Sequence, residues 1–142
     1  MLKSKVSRTI INAYRTANYR IGVPPKDFVF NVRKKSADLN DLMKSHDCLT
    51  AAFLTAYNPY GEPAKPHLNV RAQKNLKQDL KETGFVFEEG WGEDPSGRWK
   101  KEPSFLVLGI SLEAAKALGV KYEQNAIIWA DQVAYPELVL LR

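Results

Sequence analysis

The chain has one cysteine, Cys48, and only two histidines, His46 and His67, among its 142 residues. A lone thiol cannot close an internal disulfide. At the head of an apolar run, Cys48 reads as a small buried hydrophobe; the alternative, a nucleophile served by His46 two residues away, needs a held histidine that chain neighbours rarely provide. Three such ligands are too few for a structural zinc site. No stretch approaches the roughly 20 apolar residues of a membrane span. The basic start, Met1 to Arg8, runs into Asn12, Tyr14, Arg15 and Asn18, which leaves no apolar core for a secretion signal. The expectation is a cytoplasmic protein with no membrane partner. No motif with a known chemical mechanism is present either, so the sequence locates a candidate site better than it names a reaction.

What is present is the composition of a globular protein, 44% hydrophobic and 26% charged. At this length one compact domain, residues 1–142, is expected, large enough to bury a substantial core. The net charge of +5 is unevenly placed. Residues 1–45 hold ten Lys or Arg against three Asp or Glu, and the remainder is slightly acidic. A basic first third can contact phosphates, which admits a nucleic-acid- or protein-binding module as an alternative function. The same charge also suits a plain solvated helix face.

Val6, Ile10, Ile11, Tyr14 and Ala17 recur at helical spacing, which predicts an amphipathic helix over residues 4–18. Gly22 with Pro24 and Pro25 closes it, and a strand follows over 28–32. Ser36 or Asp38 caps a short helix carrying Leu39, Leu42 and Met43. Residues 49–57 are apolar or small without a period of two, the pattern of a central strand covered on both faces. Asn58-Pro59-Tyr60-Gly61 ends that strand as a turn. Leu68, Ala72, Leu76 and Leu80 mark a helix over 70–83, with Asn69 as cap and Gly84 as stop. A short strand over 85–88 leads into a glycine-rich polar loop, 90–99. Ser104 to Ile110 form another strand apolar on both faces. Ser111 caps a helix stopped by Gly119, and strands over 125–130 and 138–141 complete the set. The reading is α+β: a single mixed, largely antiparallel sheet of five to six strands with three to four helices packed on it.

Polar residues at the ends of buried strands must be satisfied by protein, water or ligand. Thr55, Tyr57 and Asn58 leave one such strand, Glu102 and Ser104 enter a second, and Gln124 and Asn125 open a third. Asn58 before Pro59 also makes sense as a turn residue bonding its own backbone. Asn69 and Arg71 open a helix, where amide hydrogens and a forked guanidinium suit an anion. As a plain cap and an exposed arginine they need no ligand. Glu102 is the one acid directly preceding a buried strand, which makes it the candidate general acid or base; a structural pairing with Arg71, Arg98 or Lys101 is the competing reading. Glu88, Glu89, Glu93 and Asp94 could hold magnesium or calcium through oxygen, but loop solvation explains them as well, so no metal or cofactor is expected. Trp91 and Trp99 either pin the loop to the body or stack on a planar ligand.

Several blocks carry a resemblance: Ala13-Tyr14-Arg15, Phe53-Leu54-Thr55-Ala56-Tyr57-Asn58-Pro59-Tyr60, Asn69, Arg71, Gly92 to Gly97, Glu102-Pro103-Ser104, Gln124-Asn125-Ala126-Ile127 and Leu138 to Leu141. Together they resemble the bacterial family catalogued as domain of unknown function 3293. The chain departs from the usual pattern at Glu123, where glycine commonly stands, and at Thr16-Ala17, where the threonine sits one place later. The resemblance implies a compact cytoplasmic bacterial domain and no particular activity. The functional expectation rests on the residues: Thr55, Tyr57, Asn58, Asn69, Arg71, Glu102, Ser104 and Gln124 converge on one pocket for a small polar or anionic ligand, a nucleotide-like one among the options, that is bound or hydrolysed.

Overall fold

The computed structural model describes residues 3–142. Helix α1 spans Arg8–Thr16, followed by strands β1 (Asn18–Ile21) and β2 (Phe28–Phe30), helix α2 (Ala37–Ser45) and strand β3 (Ala51–Leu54). A 3-10 turn at Pro59–Gly61 leads to helix α3 (Pro66–Thr83), then strands β4 (Val86–Glu93) and β5 (Glu102–Leu108), helix α4 (Leu112–Lys121), and strands β6 (Ala126–Ala130) and β7 (Glu137–Leu140). The seven strands form one sheet in the order β2-β1-β4-β5-β3-β6-β7, and every neighbouring pair is antiparallel. The α+β class and the helix count agree with the sequence reading; the sheet has seven strands rather than five to six and contains no parallel pair.

The extra strand is β1. The expected first helix ran on through residue 18, because Tyr14 and Ala17 continue its apolar stripe. Instead Ser7 caps a shorter helix, its hydroxyl accepting from the Ile10 amide at 3.2 Å. The chain then extends at Ala17, and Tyr19 and Ile21 alternate into the core. The period of two was legible in Asn18-Tyr19-Arg20-Ile21 but too short to outweigh the helical run before it. β4 likewise extends through Gly90, Trp91 and Gly92, which the sequence assigned to a loop. Gly90 is there because the Arg20 backbone is: a Cβ on it would stand 2.2 Å from the Arg20 carbonyl oxygen.

Two further boundaries move for local reasons. α3 begins four residues before the expected start, with Pro66 at a first-turn position where its missing N–H is no loss. Asn69 is therefore inside the helix rather than capping it. α4 runs past Gly119 to Lys121. Gly119 is a packing glycine, since a Cβ there would meet Leu141 at 2.4 Å and Ile127 at 2.9 Å.

Alternation along the inner strands sends side chains to two cores. Ala51, Phe53, Leu106, Leu108, Ile128 and Ala130 face Leu39 and Met43 of α2, where Tyr19, Phe30 and Phe53 make ring contacts with centroids 5.0–5.6 Å apart. Ala52, Leu54, Phe105, Val107 and Ile127 face Leu76 and Leu80 of α3 and Ala115 of α4. Burial on both faces is why β3 and β5 read as continuous apolar runs. None of the nine residues of α1 is buried; Val6 before it and Ala17 after it are. Among the described residues no helix is long and apolar enough to cross a membrane.

Antiparallel pairing also decides what meets at one rim of the sheet. The first residues of β1, β5 and β6 lie beside the last residues of β4, β3 and β7, as the registers Asn18 with Glu93, Glu102 with Gly92, and Ala126 with Leu140 show.

Candidate functional site

The polar cluster is built on the turn that leaves β3 at this rim. Asn58 has φ 47° and ψ 68°, a left-handed conformation that asparagine tolerates better than most residues, and Tyr60 has φ 57°. Side-chain bonds hold the turn. Asn69, buried on α3, accepts from the Asn58 amide at 2.8 Å, and its own Nδ2 donates to Asn58 Oδ1 at 2.8 Å. That same oxygen accepts from the Ala64 amide at 3.1 Å. Asn58 Nδ2 is left to donate to Glu102 Oε2 at 3.3 Å. Placing Asn69 inside α3 rather than at its cap makes this exchange available, because a capping side chain would be spent on its own helix.

Glu102 is the first residue of β5, and Asn58 is the one hydrogen-bond donor to its carboxyl among the described residues. As a residue it is half-buried, but its carboxyl is enclosed well enough that burial pushes it up to about 7, against which the Asn58 bond pulls down. None of the proposed ionic partners, Arg71, Arg98 or Lys101, pairs with it; Arg98 is bound instead to Asp94 at 3.2 Å. Tyr14 of α1 also reaches this rim, through its hydroxyl's bond with Asn125. Burial raises its phenol first, a hydrogen bond from Asn125 lowers it, and the nearby Glu102 charge raises it again. Asn125 Nδ2 donates to the Tyr14 hydroxyl at 3.4 Å, and Asn125 Oδ1 accepts from Arg142 Nη1 at 3.0 Å. Arg142 in turn lies 4.0 Å over the ring of Tyr60. Gly61 stands so close that a Cβ there would meet Asn125 Nδ2 at 2.9 Å.

The other expected residues divide plainly. Thr55, Tyr57, Ser104 and Gln124 all lie at this rim, but their hydrogen bonds serve the backbone, apart from a 3.4 Å contact of the Thr55 hydroxyl with Gln73 Oε1. The Thr55 hydroxyl donates to the Pro103 carbonyl at 2.7 Å and accepts from the Tyr57 amide at 3.0 Å. Ser104 donates to the Glu102 carbonyl at 2.9 Å. Gln124 ties the Tyr57 and Tyr122 carbonyls together, at 3.0 and 3.1 Å. Arg71 is not brought to the cluster. Two residues past Asn69 it is turned about 200° around α3, onto the exposed face, and it makes no ion pair among the described residues. Of the acidic residues weighed for a metal, Glu93 pairs with Arg20, Glu89 with Lys77, and Asp94 closes its own loop by accepting from the Ser96 and Arg98 amides. Trp91 stands in β4 with its indole N–H on Glu93 and Lys101 over its ring at 4.7 Å, while Trp99 packs on the first core.

Sequence reasoning missed Tyr14, Asn125, Gln73 and Arg142 as members of the rim. Tyr14 was absorbed into the apolar stripe of the helix. Asn125 opens the same strand as Gln124 but points the opposite way along an extended chain. Gln73 lies one turn beyond Asn69, and that spacing is the signal that could have found it. Its Oε1 accepts from the Ala56 amide at 2.9 Å, while its buried Nε2 has no partner among the described residues.

Much of the cluster is buried, Asn69, Gln73, Ser104, Gln124 and Asn125 included, and two concavities of the structure lie elsewhere. One is a core void with no room for water, lined by residues such as Phe30, Leu39 and Phe53. The other is a groove of about 290 Å³ lined by Asn75, Gln78, Asp79, Lys121 and Tyr122. There Asp79 is held below the usual carboxylate range by Lys121 at 2.8 Å and by the Tyr122 hydroxyl. Asp79, Lys121 and Tyr122 thus satisfy one another.

An α+β protein with one antiparallel sheet and a polar rim at one end is thus defined by geometry. The family model described as "Protein of unknown function (DUF3293)" matches residues 54–127, just over half of the chain, and the chain belongs to that family. The match takes in Thr55, Asn58, Asn69, Gln73, Glu102 and Asn125, while Tyr14 and Arg142 lie outside it. No curated protein and no solved structure matches the chain.

Proposed function

We propose that the rim around Asn58 and Glu102 binds a small polar ligand, with Glu102 placed to accept or return a proton in a hydrolytic step. One observation carries this reading: a carboxyl whose burial pushes it up to about 7 is held by a single amide donor on a left-handed turn. A carboxyl serving the fold alone is normally paired with a cation or several donors, and one tuned toward neutrality suits proton transfer. The anionic part of the expectation finds less support. Arg71 is turned away, and Arg142 is engaged by Asn125 and Tyr60.

Thermal denaturation of the full chain with a panel of nucleosides, sugars, amino-acid amides and phosphate esters tests the reading. At least one compound should raise the melting temperature of the native protein and leave a folded Glu102→Gln variant unmoved. A panel that stabilises neither protein, or both equally, counts against a site at Glu102.

A second reading keeps the basic first third as a nucleic-acid-binding surface. What favours it is that Lys3, Lys5, Arg8 and Arg15 are all exposed and form no ion pairs among the described residues. Retention on duplex DNA that falls steeply with salt, and falls further on removing these four charges, would support it; retention indifferent to salt would sink it.

A further inference from the structure

We propose that α1 is a strap closed over the turn that carries Asn58, latched by a relay running from Arg142 through Asn125 to Tyr14. The proposal holds whether or not the rim takes a ligand at Glu102. It starts from how little secures the helix. None of its nine residues is buried, and a helix of that length does not persist alone in water, so contacts with the body must hold it. Beyond the flanking Val6 and Ala17, those contacts are few. Ile10 lies against the turn, its Cδ1 3.5 Å from where a Cβ on Gly61 would stand. Among the described residues, every hydrogen bond between α1 and the body is made by Tyr14: its carbonyl accepts from the Tyr19 hydroxyl, and its own hydroxyl accepts from Asn125 Nδ2 at 3.4 Å. Arg8 and Arg15 of the same helix form no ion pair there.

Arg142 decides the second of these bonds. An asparagine side chain ends in an oxygen that accepts and an amide that donates, nearly equal in shape, and half a rotation exchanges them. Asn125 is only 2% exposed, so its neighbours rather than water settle which end meets Tyr14. Arg142 Nη1 donates to Asn125 Oδ1 at 3.0 Å, which commits Nδ2 to the Tyr14 hydroxyl. The guanidinium is itself fixed by lying 4.0 Å over the Tyr60 ring, on the same turn that Ile10 touches. The far end of the strap is tied to the same residue, since the Ser4 hydroxyl donates to the Arg142 main-chain oxygen at 2.6 Å. Ser4 precedes the first turn of α1 and Tyr14 stands in its last. Both ends therefore meet at Arg142, with Ile10 resting on the turn between them.

A relay and a set of separate contacts predict different hydrogen exchange. NMR on the full chain, in the regime where the rate reports the opening equilibrium, reads the strap from the backbone amides of residues 12–16. Arg142→Ala should raise these rates about tenfold and leave those of β3 and β5 unchanged, because the charge-assisted bond that orients Asn125 is lost while both cores stay intact. Tyr14→Phe deletes only the hydroxyl at the other end of the relay and should give the same selective rise. Combining the two should open α1 no further than either alone, since a relay in series breaks once. Arg142→Lys keeps a cationic donor for Asn125 without the planar fork, and should fall between the native protein and alanine. Rates in α1 that stay at the native level in Arg142→Ala, or that rise equally in β3 and β5, overturn the strap. Single effects that multiply to about a hundredfold in the double variant overturn the relay, as does a lysine no better than alanine, which would assign the effect to packing on Tyr60.

Discussion

At the scale of single residues, Glu102 sets the behaviour of the rim. Its carboxyl keeps a proton up to about pH 7 in the folded protein, whereas in the unfolded chain it gives the proton up near its ordinary value of about 4.3. The folded state therefore binds more protons between those two values. The stability this adds is full below the unfolded pKa and is lost as pH rises through about 7. Chemical denaturation at pH 5 and pH 8 should show the native protein losing about 1–3 kcal/mol more than Glu102→Gln over that interval; parallel pH curves for the two would show that burial does not hold the proton. Asn58 is the second such residue. Asn58→Gly keeps the left-handed backbone and loses only the side-chain bonds, whereas Asn58→Ala loses both, so alanine should be less stable by about 1 kcal/mol. Equal melts would show that the turn stores no strain. The sequence singled out both residues, since a lone acid before a buried strand and an asparagine before proline stand out in a linear reading. It could not bring Tyr14 and Asn125 together, since these partners lie 111 positions apart.

At the scale of elements, long amphipathic and doubly buried segments were legible and short ones were not. α3 and β5 follow from uninterrupted patterns, while the four residues of β1 lost to the stronger period beside them. Gly90 shows a different limit. A glycine followed by a tryptophan and another glycine reads as a loop by composition, yet here it lets β4 approach β1. Gly90→Ala sets a Cβ against backbone that cannot swing aside, and should cost 3 kcal/mol or more, roughly at the upper end of overpacking effects. Gly84→Ala has open space around it and pays only for φ 79°, about 1 kcal/mol. Urea midpoints for the two variants should be well separated; coincident midpoints would mean the β1 and β4 contact is looser than drawn.

At the scale of the whole molecule, one sheet divides two cores that share no side chain. Met43 belongs to one and Leu80 to the other. Truncating either to alanine should cost about 2–5 kcal/mol, and because the pair is separated by the sheet their costs should add to within about 0.5 kcal/mol in a double variant, as measured by denaturant unfolding. A coupling larger than 1 kcal/mol would show that the sheet flexes enough to transmit repacking. The first helix stands apart from this economy. It supplies Tyr14 to the rim yet buries none of its own nine residues, and it is moored by Val6 at one end and Ala17 at the other. Hydrogen exchange should therefore find it lifting away far more often than the strands beneath it. The Tyr14 side of the rim is in effect hinged, present while that segment is seated and dismantled each time it peels off, so anything that held Tyr14 against the strands would act as a clasp on the amino-terminal end of the fold.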